Sequence, residues 1–159
     1  MNTFENPLVP IYSIGTAARM LGISVRTIRM YERKGLIKSY KSHANQRWYS
    51  RSDIERIQCI RKAINEQKVS IEGIKKIHAL IPCWDVIGCP EQDRQHCEAY
   101  LGHERGCWTY LHKNNVCAGR DCRLCEVYVS ASDCDRIKQT IKLATTFHEH
   151  TLKTQVSQD

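Results

Sequence analysis

The first half of the chain sets apolar residues at helical spacing in short blocks, each bounded by a glycine or a hydroxyl side chain. Ile14, Ala17, Ala18 and Leu21 stand at i, i+3, i+4 and i+7, the stripe of a helix with one buried face. Ser13 or Thr16 is placed to cap it. The pattern predicts a first helix within residues 11–21, ended by Gly22. Ser24 is a good N-cap for a second helix, and Gly35 can take the left-handed backbone that ends one. Val25, Ile28 and Leu36 then face inward. From residue 36 to residue 50 the period changes to alternation around a polar bend at His43 to Gln46, which predicts a two-stranded wing. Ser50 and Asp53 form an S-x-x-D capping box for a third helix carrying Ile54, Ile57, Ile60 and Ile64 on one face, with Cys59 as a core residue. Ser70 opens a fourth helix with Ile71, Ile74, Ile77 and Leu80 inward, and Pro82 closes it.

The pattern changes after Pro82. Residues 83–131 have short segments with glycines between them and no sustained period. From Ser132 the helical spacing returns: Ser132 and Asp135 form a second capping box, and Cys134, Ile137, Ile141, Ala144 and His148 mark one apolar face with Phe147 alongside. That helix has no partner nearby in sequence and is expected to pair with its copy in a second subunit, or else to fold back on the preceding module. The fold class is therefore mainly α. The expected organisation is a loose arm at 1–10, a winged helix-turn-helix at 11–82, a small irregular cysteine-rich metal-binding module at 83–131, and a C-terminal helix at 132–159.

Charge separates the same two halves. Residues 1–82 carry 15 Lys/Arg against 6 Asp/Glu, whereas residues 83–131 carry 5 against 7. A basic first half suits a polyanion, since each phosphate it neutralises releases condensed counterions. On the outer face of the second helix Arg26, Thr27, Arg29, Tyr31 and Arg33 offer donors and cations, a surface able to read base edges and phosphates. In the wing Lys38, Lys41, Arg47, Trp48 and Tyr49 are placed to grip the backbone beside it. No apolar run reaches membrane-spanning length and no export signal is read ahead of the first helix, which gives the expectation of a soluble, cytoplasmic protein with no membrane partner. No phosphate-cradling glycine loop, Ser/His/Asp set or paired-carboxylate motif stands out, so an enzyme is not expected; the rival from that class is a small iron-sulfur redox protein carrying a DNA-binding head.

Nine cysteines are an odd number for a disulfide framework, and reduced thiols or metal ligands fit a nucleic-acid partner in a reducing compartment better. Seven of them, Cys83, Cys89, Cys97, Cys107, Cys117, Cys122 and Cys125, fall in one stretch. They repeat: Cys83-Trp84, Cys89 and Cys97-Glu98-Ala99-Tyr100 are echoed by Cys107-Trp108, Cys117 and Cys125-Glu126-Val127-Tyr128. So small a module buries too little apolar surface to hold itself together, and a metal or cluster would act as its core. Cys117-x4-Cys122-x2-Cys125 has the spacing of three ligands of a plant-type iron-sulfur cluster, with a fourth ligand more distant. Zinc is the alternative, because Cys122-x2-Cys125 is also half of a tetrahedral four-thiolate site; thiol-only redox switching is a third reading. His96, His103 and His112 are read as solvated, and Trp84 and Trp108 as packing over the site.

Residues 12–80 resemble the DNA-binding domain of the MerR family of bacterial transcription regulators, in the segments YSIGTAARMLGIS, TIRMYERKGLI, NQRWYSRSDIERI and VSIEGIKKI. The SIEGIKKI segment is similar to the heat-shock repressor branch. The resemblance implies that Arg26, Thr27 and Arg29 approach the major groove, that Tyr31 and Arg47 contact phosphates, and that a homodimer distorts double-stranded promoter DNA, with RNA polymerase as a further partner. Pro82 and Cys83 depart from the family pattern, standing where its long dimerisation helix begins. Residues 83–128 resemble the two-CW module appended to other microbial regulators, with Glu98 where that module tends to have proline. Together these point to a redox or metal sensor that controls transcription.

Overall fold

The computed structural model describes residues 6–133, 137–139 and 142. Helix α1 (Ile14–Leu21) starts where the Ser13 hydroxyl accepts the Thr16 amide at 3.2 Å, and it ends at Gly22, whose φ of 62° lets the chain reverse. Helix α2 (Val25–Arg33) repeats the device: Ser24 accepts the Thr27 amide at 3.1 Å, and Gly35 at φ 73° turns the chain out, with the Leu36 amide donating back to the Tyr31 carbonyl at 3.0 Å. A β-carbon is costly in that conformation, so glycine at these two positions fixes both helix ends.

The wing has one strand more than its sequence predicts. Strands β2 (Tyr40–Lys41) and β3 (Arg47–Tyr49) pair antiparallel, and β1 (Tyr12–Ser13) joins the other edge of β3, with Tyr12 opposite Tyr49 and Ser13 opposite Trp48. Two residues are too few for alternation to be legible, which is why the segment reads as the start of a helix. Helix α3 (Arg51–Asn65) carries the predicted capping box, and α4 (Ile71–Ala79) is capped by Ser70. Ala17, Leu21, Ile28, Leu36, Tyr49, Ile57, Ile60 and Ile74 close one core between these elements.

Two expectations for the third and fourth helices are corrected. On α4, Ile77 and Leu80 are 39% and 67% exposed, while His78 and the following Ile81 are buried. The stripe Ile74, His78, Ile81 has the same helical spacing, and it wins because His78 and Ile81 pack against the second half of the chain. Cys59, expected as a core residue in a chain whose cysteines read as reduced thiols or metal ligands, is half-buried on α3 and is disulfide-bonded.

The cysteine-rich half is built of single turns: α5 (Cys83–Val86), α6 (Glu91–Arg94), α7 (Glu98–Leu101), 3-10 turns at Cys107–Thr109 and Cys122–Leu124, and α8 (Glu126–Ser130). A second core of Ile81, Trp108, Val127, Tyr128, Ala131 and Ile137 holds them, with Cys83, Cys107, Cys122 and Cys125 packed against it. Most of the expected C-terminal helix, including Asp135 of its capping box, lies outside the described residues. Among the described residues no helix is long and apolar enough to cross a membrane.

Candidate nucleic-acid interface and cysteine site

The outer face of α2 keeps its cations free. Arg26, Arg29 and Arg33 are exposed, and none of the ion pairs among the described residues involves them. Thr27 is half-buried, its hydroxyl in hydrogen bond with Ser24 at 2.9 Å. The two tyrosines stand elsewhere than the sequence reading put them. Tyr31 is 5% exposed and Tyr49 has no exposed surface, so both rings belong to the core and not to the outer face. Alternation in so short a strand has two phases, and pairing with β1 turns Tyr49 inward. Burial raises the Tyr49 phenol well above its ordinary pKa.

Arg47 is tied down. Its Nε donates to Glu32 Oε2 at 2.6 Å, and the Ser39 hydroxyl donates to Glu32 Oε1 at 2.6 Å. Glu32 therefore fastens the wing to the helix it flanks.

Five of the seven clustered cysteines, Cys83, Cys107, Cys117, Cys122 and Cys125, line one cavity of about 20 Å3. Trp108, Val127 and Tyr128 wall it on the apolar side, and His112, expected in solvent, also lines it. His112 Nε2 lies 2.9 Å from the Cys107 carbonyl. Cys89 and Cys97 are buried at the two ends of α6 instead, where Arg94 donates to the Cys89 carbonyl at 2.9 Å. His96 and His103 are exposed, as expected.

All seven are free thiols, and among the described residues no three His, Cys, Asp or Glu side chains form a ready metal-binding group. Burial, more than mutual repulsion, holds Cys89, Cys117 and Cys122 towards the neutral thiol. Cys83 is shifted down by its hydrogen bond with Cys107, and Cys107 is pushed up by the same bond, by burial and by its neighbouring thiols. Cys117 is pushed up to about 11, first by burial and then by Cys125 and Cys83. A soft cation among these sulfurs would displace their protons, and thiolate donors fit zinc or an iron-sulfur cluster.

The wall of this cavity is joined to the helix-turn-helix. Trp108 Nε1 donates to the Gly35 carbonyl at 2.9 Å, just past the end of α2, and the Lys38 amide donates to the Tyr128 hydroxyl at 2.7 Å. Arg56 of α3 lies between the two aromatic rings, fully buried, its guanidinium carbon 4.5 Å from the Trp108 centroid and 4.0 Å from that of Tyr128. It donates Nε to the Leu36 carbonyl and Nη1 to the Tyr128 carbonyl, each at 2.7 Å. Sequence reasoning missed Arg56. The available signal is its phase: position 56 falls on the face of Ile60 and Asp53, where a solvated arginine has no place.

The sequence repeat has a geometric counterpart. Trp84 meets Tyr100 edge to face at 5.0 Å and 84°, and Trp108 meets Tyr128 at 5.3 Å and 86°.

Residues 12–80 match the model of the MerR HTH family regulatory proteins. Over 68 residues the chain is 32% identical to the Streptomyces coelicolor protein named as heat shock protein HspR, covering 43% of this chain and 45% of that protein. It is 44% identical over 50 residues to the HTH-type transcriptional activator TipA of Streptomyces coelicolor, covering 31% of this chain and 20% of TipA. A protein of Haemophilus influenzae described as a probable heavy metal-dependent transcriptional regulator is 43% identical over 54 residues, covering 33% of this chain and 42% of that protein. The chain thus spans less than half the length of each of these relatives. No solved structure matches it.

Proposed function

From the premise that residues 12–80 are a helix-turn-helix domain of the MerR family, we propose that the chain is a transcription regulator whose promoter binding is set by the state of its cysteine site. The observation that carries this reading is the pair of hydrogen bonds that tie Trp108, as donor to the Gly35 carbonyl, and Tyr128, as acceptor from the Lys38 amide, to the segment that ends the reading helix. Trp108 follows Cys107 directly and Tyr128 lies one turn beyond Cys125, so a rearrangement of the sulfurs moves two side chains that hold Gly35 and Lys38. A dimer binds two half-sites only when its reading helices match their spacing, and a small shift of the clamp alters that match. The partners proposed are double-stranded promoter DNA of pseudo-palindromic form, a second copy of the chain, and RNA polymerase.

Cys117, Cys122 and Cys125 are the proposed ligands of an iron-sulfur cluster, with Cys83 or Cys107 as the fourth; Cys89 and Cys97, which flank α6 and do not line the cavity, are left out. When bound, such a cluster supplies one-electron redox chemistry and sensitivity to oxidants. The residues of this chain do the rest: Trp108 and Val127 exclude water, and Trp108 and Tyr128 transmit the change. Zinc is the second reading, favoured by the Cys122-x2-Cys125 pair, both of which line the cavity, and by the heavy-metal dependence in the Haemophilus relative's name.

Anaerobic purification followed by iron, sulfide and zinc analysis and a visible spectrum separates the two. Cys122→Ser is expected to abolish the visible absorption and change affinity for a duplex selected from a random pool, while Cys89→Ser preserves both. Colourless protein with stoichiometric zinc refutes the cluster. DNA affinity indifferent to cluster loss, chelation and thiol modification refutes sensing altogether.

A further inference from the structure

We propose that the cysteine module completes a phosphate-binding cleft of the DNA-reading head, with Arg105 as its contribution; this rests on the reading of residues 12–80 as a DNA-binding domain. An open cleft of about 610 Å3 lies between the last turn of α2, the base of the wing and the module. Six side chains lining it are cations: Arg33, Lys34, Lys38, Lys41, Lys75 and Arg105. Glu32 is the one carboxylate among the lining residues, and both its oxygens are engaged, by Ser39 and Arg47. Lys34 and Lys75 lean on Glu72, at 3.9 and 2.8 Å. Arg33, Lys41 and Arg105 make no ion pair among the described residues. The cleft is left strongly positive, with donors on three sides.

Its position selects the anion. Arg33 belongs both to the cleft and to the outer face of α2, so the two surfaces are continuous. A duplex seated on Arg26 and Arg29 carries a charge about every 1.7 Å along its axis, and its flanking backbone passes over the cleft. Arg105 is already held for that contact: its guanidinium lies 4.4 Å over the Tyr110 ring, and Tyr110 packs directly on Gly102, where a side chain would collide with it. Stacking of this kind fixes the fork of an arginine while leaving its donors free for a phosphate. Arg105 is two residues from Cys107, so one loop carries a thiol of the cysteine cavity and a phosphate ligand.

The test measures binding of the full chain to a duplex selected from a random pool, across a salt series. Arg105→Gln is expected to lower affinity about two- to fivefold, the range of an exposed ion pair, and to reduce the salt slope by about 0.9, the share of one phosphate. Arg105→Lys is expected to restore the slope. Lys113→Gln, a charge change on the module outside the cleft, is expected to leave it unchanged. Equal slopes for wild type and Arg105→Gln overturn the proposal, as does an equal drop in Lys113→Gln, which reports net charge alone. Loss of inorganic-phosphate binding in Arg105→Gln with DNA affinity intact overturns it in favour of a free anion. A wild type that binds no duplex overturns the DNA-binding reading itself, a result distinct from all of these.

Discussion

Arg56 is the residue whose replacement speaks most directly to how the two halves hold together. Its guanidinium gives one hydrogen bond to Leu36 in the helix-turn-helix and one to Tyr128 in the cysteine module, and both ring faces around it belong to the module. Two charge-assisted bonds are worth about 1.5 to 3 kcal/mol each, and two desolvated ring contacts add about 1 kcal/mol each. Against this stands the burial of a charge whose Nη2 has no partner, a cost of several kcal/mol. The expected loss for Arg56→Met is therefore about 2 to 4 kcal/mol. For a chain of this size that lowers the midpoint of thermal unfolding by roughly 5 to 15 °C. Arg56→Lys is expected to be worse than Met, because a lysine buries the same charge without a planar fork to reach both carbonyls. Urea unfolding followed by far-ultraviolet circular dichroism and by tryptophan fluorescence measures both the loss and its location. Weakening the clamp is expected to separate the two probes, which coincide while the halves unfold as one unit. A methionine variant within about 0.5 kcal/mol of wild type, with coincident probes, would refute the clamp.

His78, buried against Trp108 and near Arg56, titrates at about 3 in the folded chain against an ordinary 6.5, chiefly through burial. The unfolded chain therefore takes up this proton first as pH falls, and stability is full above about 6.5 and lost between there and about 3. Between pH 7 and pH 4.5 wild type is expected to lose about 2 to 3 kcal/mol more than His78→Leu; equal losses in urea unfolding contradict the assignment. Gly35→Ala meets a φ of 73° and places a β-carbon 2.7 Å from Thr109 Cγ2, so it is expected to cost about 1 to 3 kcal/mol. Thr109→Ser added to it should recover the steric part, and no recovery argues against the contact. Arg26→Ala and Arg29→Ala are each expected to cost about 1 to 3 kcal/mol of DNA binding and relax base preference, while Tyr49→Phe, with no exposed surface to lose, leaves affinity unchanged; the opposite ranking in a binding titration reverses the orientation of the interface.

Local rules carried the helix-turn-helix far. Ser13, Ser24, Ser50 and Ser70 all cap where hydroxyls precede an apolar stripe, and Gly22 and Gly35 end helices where a left-handed residue is required. What escaped reading is set by contacts between halves. Position 78 looks like the polar neighbour of an isoleucine stripe until Trp108 arrives from 30 residues further on to cover it. Arg56 reads as one more cation of a basic domain, and only the two rings and two carbonyls that meet there make burial tolerable. The cysteine repeat was legible as a pattern; which thiols share the cavity depends on single-turn helices with no periodicity to reveal them.

The two edge-to-face aromatic pairs have the same chemistry and unequal histories ahead of them. Trp108 and Tyr128 enclose a cation and bond to two backbone groups of the helix-turn-helix, so nearly any exchange there breaks several interactions at once. Trp84 and Tyr100 are half-exposed and hold chiefly each other. Random substitution is therefore expected to accumulate in the first copy and be purged from the second. The repeated unit thus has one half free to vary and one half that its neighbour has locked in place.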